Sequence, residues 1–295
     1  MGAPFSVVVL TLDEELNLPA CLRSVAFADE VFVVDSFSRD HTLDIARAAG
    51  AQVVQHAFAQ YADQRNWALD ELPFHHPWVL FLDADERVTH ELRREIEGIV
   101  SAAAADRPRG YYVNRRFIFL RRWIRHAGWY PSWNLRLFQR TYGRYEARAV
   151  HEHVVLDGPA AYLQHDLLHE DQRPFEAFIA RHNRYSTLEA RARFVAEHGL
   201  GPERRLAGRW FGSPIERKRW VRERIWPHVP AKPLALFVYM YLVRQGFRDG
   251  RPGLIFCLLQ AYQELAVGLK LGELRAGLLT GAGPALRSAE SLNHP

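Results

Sequence analysis

The stretch Trp78-Val79-Leu80-Phe81-Leu82-Asp83-Ala84-Asp85-Glu86 decides the reading of this chain. Five consecutive apolar residues without polar alternation describe a strand buried on both faces, as in a parallel sheet. Carboxylates at i and i+2 just beyond such a strand can turn toward one cation, and Mg²⁺ and Mn²⁺ prefer oxygen ligands completed by substrate phosphates. Working outward, residues 6–12 (SVVVLTL) and 31–35 (VFVVD) are further apolar runs of the same kind. A helical stripe through Leu18, Cys21, Leu22 and Val25 separates them, with Pro19 in its first turn. Asp40 is placed to cap a helix that stops at Gly50, residues 52–55 read as a strand, and 61–72 as a helix. This alternation predicts an α/β fold with a doubly wound, mostly parallel sheet and helices on both faces.

Ligands of such sheets bind beyond the carboxyl ends of the strands. Those ends carry Thr11, Asp13, Glu14 and Glu15, then Asp35, then Asp83, Asp85 and Glu86. No G-x-G-x-x-G follows the first strand and no Walker A sequence occurs, which disfavours a dinucleotide fold and a P-loop kinase. Haloacid-dehalogenase-type phosphatases also use a strand followed by D-x-D, but there the motif sits on the first strand.

Composition divides the chain. Residues 1–100 hold 17 acidic and 7 basic side chains, whereas the remainder is strongly basic. Of the 38 cations, 35 are Arg, a residue suited to planar recognition of phosphate oxygens and also common in GC-rich genomes. Two cysteines exclude a disulfide scaffold, and the first 15 residues lack the basic n-region of a secretory signal. Residues 107–125 interleave seven Arg with aromatics and lead into GWYPSW (128–133), followed by strand-like pieces near 134–138 and 150–156. From about 174 the pattern is helical, with breaks near 199, 227–233 and 250–253. Within 203–226, eight cations face three Glu and mix with Trp210, Phe211, Trp220 and Trp226, the signature of a helix in the headgroup layer of an anionic membrane surface. The apolar runs 234–243 and 254–259 are shorter than the ~20 residues needed to span a bilayer.

The segments TLDEELNLPACLRSV (11–25), ADEVFVVDSFSRDHT (28–42), Gln64-Arg65-Asn66 and the strand ending in LDADE (82–86) together resemble family 2 glycosyltransferases of the GT-A fold. The later pieces GWYP (128–131), RLF (136–138), VHEH (150–153), LHE (168–170) and GFRDGRPG (246–253) are similar to a bacterial subgroup associated with lipopolysaccharide-core glucosyl transfer. The resemblance implies a GT-A catalytic domain over 1–172, with a nucleotide-sugar half (1–105) and an acceptor half (106–172), and a helical, amphipathic, membrane-associating region over 173–295. It implies inverting, metal-dependent transfer of a hexose from a nucleotide diphosphate sugar to a membrane glycolipid, at the inner face of the bacterial cytoplasmic membrane. Transfer onto a polyprenyl phosphate is the alternative within the fold. Nucleic-acid binding through the basic second part is the distant one, and no nucleic-acid partner is expected.

The resemblance also implies roles for residues. Thr11, Asp13, Glu14, Asp35, Arg65 and Asp83 are expected to hold the nucleotide sugar. Asp85 and His169 are the expected ligands of Mg²⁺ or Mn²⁺, and Glu152 the base that takes the acceptor proton. Trp129, Tyr130, Arg136 and His151 are expected to face the acceptor. Asp13 departs from the family pattern, which places Asn there; an acceptor-only carboxylate replaces a donor amide.

Overall fold

The computed structural model describes residues 2–102, 107–146, 153–198, 211, 220–221 and 224–279. The chain forms two compact units, residues 1–174 and 175–295.

In the first unit, β1 (Ala3–Thr11), α1 (Leu18–Val25), β2 (Ala28–Asp35), α2 (Thr42–Ala48), β3 (Gln52–Gln55), α3 (Tyr61–Glu71) and β4 (Trp78–Asp83) alternate along the chain. They are followed by β5 (Glu86–Val88), α4 (His90–Ser101), β6 (Gly110–Phe119), β7 (Arg122–Trp123), β8 (Trp133–Gln139), β9 (Gly143–Tyr145), β10 (Val154–Leu156) and β11 (Ala160–His169). The main sheet runs β3-β2-β1-β4-β8-β6-β11-β5, with β7 added to β6. Pairing is parallel from β3 to β4 and turns antiparallel at β4–β8, so the sheet is mixed. β11 is parallel to β6 and antiparallel to β5, and β8 is antiparallel to β6.

Alternate residues of the apolar strands feed two cores, which is why the runs are continuous. Phe5, Val7, Val9, Val33, Leu80 and Leu82 pack with Leu18, Cys21, Leu22 and Val25 of α1 and Leu92, Ile96 and Val100 of α4. Val8, Phe32, Val34, Val79 and Phe81 face the other way, onto Ala62, Ala68, Leu69 and Leu72 and onto Phe138, Tyr145 and Val154. Helix α4 begins at Thr89, whose hydroxyl accepts from Leu92 N at 3.3 Å. Helix α2 differs from the sequence expectation, because His41 and not Asp40 occupies its N-cap position. Asp40 instead accepts from Thr42 N (2.9 Å) and Glu15 N (3.0 Å), tying the helix start to the loop after β1.

In the second unit, the described residues include a 3₁₀ turn at Trp226–His228 and the helices α5 (Phe175–Glu197), α6 (Lys232–Val238) and α7 (Gly250–Leu279). A π turn (Tyr239–Val243) and a 3₁₀ turn (Gly246–Asp249) connect the last two. Counting consecutive apolar residues underestimated this region. Gly246–Gly277 contains an 18-residue window with a mean hydropathy of 1.4 and is long and apolar enough to cross a membrane by length and composition, although only 28% of that window is buried. Most of the basic stretch expected at the headgroups, including Arg204, Arg205, Arg209, Trp210, Arg217, Lys218, Arg219 and Arg222, lies outside the described residues.

Candidate active site

β1 and β2 end side by side, with Thr11 in register with Asp35. Asp35 is fully buried, and a carboxylate there needs several donors to offset lost hydration. It has them: Thr11 Oγ1 (3.1 Å), Ser38 N (2.9 Å), Gln55 Nε2 (3.1 Å) and the Ser38 hydroxyl. The loops beyond the two strands are clasped together. Glu14 N donates to Thr42 Oγ1 at 2.8 Å, His41 N to Glu15 Oε2 at 3.1 Å, and Asp13 N to Ser38 Oγ at 2.9 Å. Asp13 sits at φ 53°, a left-handed conformation that Asn and Asp tolerate best among residues with a side chain, and its Oδ1 accepts from Arg39 N at 2.8 Å. The contact is one that an Asn carbonyl oxygen makes equally well, so the departure from the family pattern leaves the loop conformation intact.

At the end of β4, Asp83 is gripped from two sides. Arg65 Nη2 donates to Oδ1 and Arg136 Nη2 to Oδ2, each at 2.7 Å. Arg136 also donates to Glu86 Oε1 at 2.7 Å, and Arg115 Nη1 reaches the same oxygen at 3.4 Å. Glu86 is fully buried and accepts from Asp83 N at 3.1 Å. Burial alone would raise the pKa of Asp83, but Arg136 and Arg65 outweigh it and hold the carboxyl well below the usual carboxylate range. Arg65 lies over the ring of Tyr145 at 5.3 Å, and burial pushes the Tyr145 phenol up to about 12. Arg136, expected at the acceptor, is 6% exposed and committed to Asp83 and Glu86.

Asp85 and His169 are brought together by backbone pairing. Glu86 is in register with His169 on β11, and Glu170 N donates to Asp85 O at 2.9 Å. Asp85 Oδ2 and His169 Nε2 consequently stand 3.3 Å apart. Adjacent ligands of an octahedral cation at ~2.1 Å are about 3 Å apart, so one carboxylate oxygen and one imidazole nitrogen at this spacing fit a divalent ion. Among the described residues no third His, Cys, Asp or Glu completes a protein-only cage. Such an open site suits Mg²⁺ or Mn²⁺, which draw their remaining ligands from phosphate and water.

Two residues that sequence reasoning missed shape this end of the site. Asn17 is fully buried, and its amide donates to Glu14 Oε2 (2.7 Å) and Asp171 Oδ1 (3.0 Å) while its carbonyl accepts from Gln172 N (2.8 Å). Arg173 Nη1 donates to Glu14 Oε1 at 2.8 Å and is itself held by Asp171. Burial drives Glu14 up to about 7 against the pull of Arg173, with Asp85 adding to the rise. Glu14 lies near the beginning of the chain and Arg173 at the end of the unit, and no local pattern announces their pairing.

Of the residues expected to face the acceptor, Trp129 packs against Phe117 (centroids 5.3 Å), which in turn forms an edge-to-face pair with His169 (5.2 Å). Tyr130 donates its hydroxyl to Asp166, which also accepts from Asn114 Nδ2 at 2.9 Å. His151 and Glu152 lie outside the described residues.

The family model described as "Glycosyl transferase family 2" matches residues 6–165. The lipopolysaccharide core biosynthesis glycosyltransferase LpsC of Rhizobium meliloti (strain 1021) is 31% identical over 194 residues, covering 63% of this chain and 70% of its own. An uncharacterized glycosyltransferase of Rickettsia bellii (strain RML369-C) is 27% identical over 97% of this chain and 90% of its own. Among solved structures, the mannosyltransferase PcManGT of Pyrobaculum calidifontis, in complex with GDP-Man and Mn²⁺, superposes with a TM-score of 0.51 at 16% identity, covering 92% of this chain and 87% of its own. The mixed sheet, the carboxylates at its strand ends and the family match agree, and the chain belongs to glycosyl transferase family 2 as a glycosyltransferase of the GT-A fold.

Proposed function

We propose that this glycosyltransferase moves a hexose, glucose by the resemblance, with inversion from a UDP-sugar to a hydroxyl of a membrane glycolipid such as lipopolysaccharide inner core. The observation that carries the reading is the 3.3 Å pairing of Asp85 with His169 beside the arginine-clamped Asp83. The name of the LpsC relative supports the lipopolysaccharide acceptor.

In this reading the ledge of Thr11, Asp13, Glu14 and Asp35 takes the base and ribose, with Arg65 and Asp83 below it. Asp85 and His169 hold Mg²⁺ or Mn²⁺, which when bound supplies positive charge to the leaving diphosphate. Glu152 takes the proton of the attacking hydroxyl on the opposite face of the sugar, the division of labour that inversion requires. Trp129 and Tyr130 offer flat faces to a pyranose, and His151 stands next to the base in sequence. The enzyme works as a peripheral protein at the cytoplasmic face of the membrane that carries its acceptor.

Asp85→Asn should lower turnover at least ~100-fold, as loss of a preorganised electrostatic contact commonly does. It should also abolish nucleotide-dependent binding of Mn²⁺ in a calorimetric titration in which the wild type is expected to bind. EDTA should stop the wild type and either cation restore it. Full turnover of the pure enzyme in chelator would overturn the metal assignment.

A further inference from the structure

The second unit holds a part-buried ion pair between two of its helices and turns rows of large apolar side chains outward. Between α5 and α7, Arg193 forms a two-pronged pair with Glu264 (2.8 and 2.9 Å), and Trp226 Nε1 donates to the same carboxylate at 3.1 Å. Further along, Lys270 Nζ donates to Asn183 O, Ser186 Oγ and Thr187 Oγ1 (2.7–2.8 Å), and Arg275 pairs with Glu197 at 2.7 Å. Among the described residues the buried apolar cluster on this seam comprises Ala190, Phe194, Val267 and Leu271. On α7, Leu258, Tyr262, Leu265 and Leu269 are 50, 56, 46 and 63% exposed at spacings of four, three and four, which puts them on one stripe. On α6 and its π turn, Leu234, Val238 and Leu242 repeat every four residues and are 63, 40 and 57% exposed. A helical unit in water buries such stripes.

We propose that these two stripes lie in the acyl layer of a lipid membrane, as a hairpin resting in the plane of one leaflet; the proposal deepens the membrane-acceptor reading and rests on it. Charge at the ends of the stripes matches a lipid surface. Exposed Arg244, Arg248 and Arg251 cluster on the connection between them, where phosphate headgroups offer partners. Across Pro252–Leu269 the one ionisable side chain with a full charge is Glu264, and it is paired with Arg193, as charges at membrane depth are. The hairpin does not cross. Lys232–Val243, 12 residues, reaches about 18 Å against the roughly 30 Å of hydrocarbon, and α7 is bound along its length to the polar helix α5, which cannot enter lipid.

The test uses the full chain and vesicles of phosphatidylethanolamine with a minor fraction of phosphatidylglycerol. Leu258→Gln, Leu265→Gln and Leu269→Gln together should weaken vesicle partition roughly 100-fold, from about 1 kcal/mol of apolar burial lost per half-exposed leucine. Far-UV circular dichroism and thermal unfolding of the variant should match wild type. In a second variant, Leu265→Cys carrying an environment-sensitive nitrobenzoxadiazole label should shift its emission to the blue and become inaccessible to iodide only when vesicles are added. Equal vesicle binding by wild type and the triple variant would overturn the assignment of these stripes while leaving the membrane reading standing. No vesicle binding by wild type would sink the membrane reading itself. A label shielded without lipid, with sedimentation reporting a dimer, would replace lipid by a second copy of the chain and refute the proposal.

Discussion

Replacing Arg136 by Met separates two roles for this residue. The arginine is 6% exposed and donates at 2.7 Å to both Asp83 and Glu86. Met has a similar unbranched length, so volume changes little while the charge disappears. Glu86, fully buried, is then left with Arg115 at 3.4 Å, and Asp83 with Arg65 alone. Removing one partner of a buried pair costs about 3–5 kcal/mol where the survivor is left uncompensated; here Arg115 and Asp83 N still reach Glu86 and Arg65 still holds Asp83, so the lower end, about 3 kcal/mol, applies. At roughly 2–4 °C per kcal/mol for a unit of this size, the first unit should melt about 6–12 °C earlier. Urea unfolding followed by tryptophan fluorescence reads the same loss as a lower midpoint at unchanged slope. Adding Glu86→Gln to the variant should recover part of the loss, since it neutralises the orphaned carboxylate. Were Arg136 an acceptor contact instead, the variant would keep its stability and raise the KM for acceptor. A loss below about 1 kcal/mol with such a KM change would refute the reasoning.

Two further outcomes are expected, the first from the proposed role of Glu152 and the second from the burial of Glu14. Glu152→Gln keeps size and hydrogen bonding but removes basicity, so kcat should fall ~10²–10⁴-fold with little change in affinity for the nucleotide sugar; an unchanged kcat with chemistry rate-limiting would place the base elsewhere. Glu14, raised from 4.5 to about 7, favours the folded state most when protonated, below pH ~4.5, and that advantage is lost as pH rises through about 7. Glu14→Gln lacks this titration, so the stability of wild type relative to the variant should fall between pH 4.5 and 7.5 by an amount on the order of 3 kcal/mol at most. Parallel stability curves over that range, from urea melts, would show that Glu14 titrates normally.

The parallel half of the sheet was legible because β1, β2 and β4 are buried on both faces, and that condition writes itself as an unbroken apolar run. The metal-site candidates Asp85 and His169 were legible as types, yet the reason they meet was not. They are 84 residues apart, and their contact depends on the three-residue strand β5 pairing antiparallel with β11. A strand that short has no periodicity to detect. The pairing of Arg136 was illegible for a related reason: its two carboxylate partners, Asp83 on β4 and Glu86 on β5, lie on other strands, and nothing within β8 announces them. Asn17 and Arg173 belong to contacts spanning the whole unit, beyond the reach of any window. In the second unit the helical pattern after the break at 250–253 was legible, but the apolar residues of α7 are spread over eight turns and separated by polar positions, so counting contiguous runs missed that this helix of 30 residues is long and apolar enough to cross a membrane.

The switch from parallel to antiparallel pairing at β4–β8 has a consequence for heredity. Asp83 and Glu86 belong to the first stretch of chain, Arg115 and Arg136 to the second, and the strands that carry them meet through only Trp78 with Gln139, Val79 with Phe138 and Leu80 with Leu137. The surface loops on either side can vary separately in descendants. The four charges cannot. A recombination event that joins the first half of one such enzyme to the second half of another transmits a working centre only when both parents carry the same charge at each of these positions, and a change at one of them calls for an answering change across the seam.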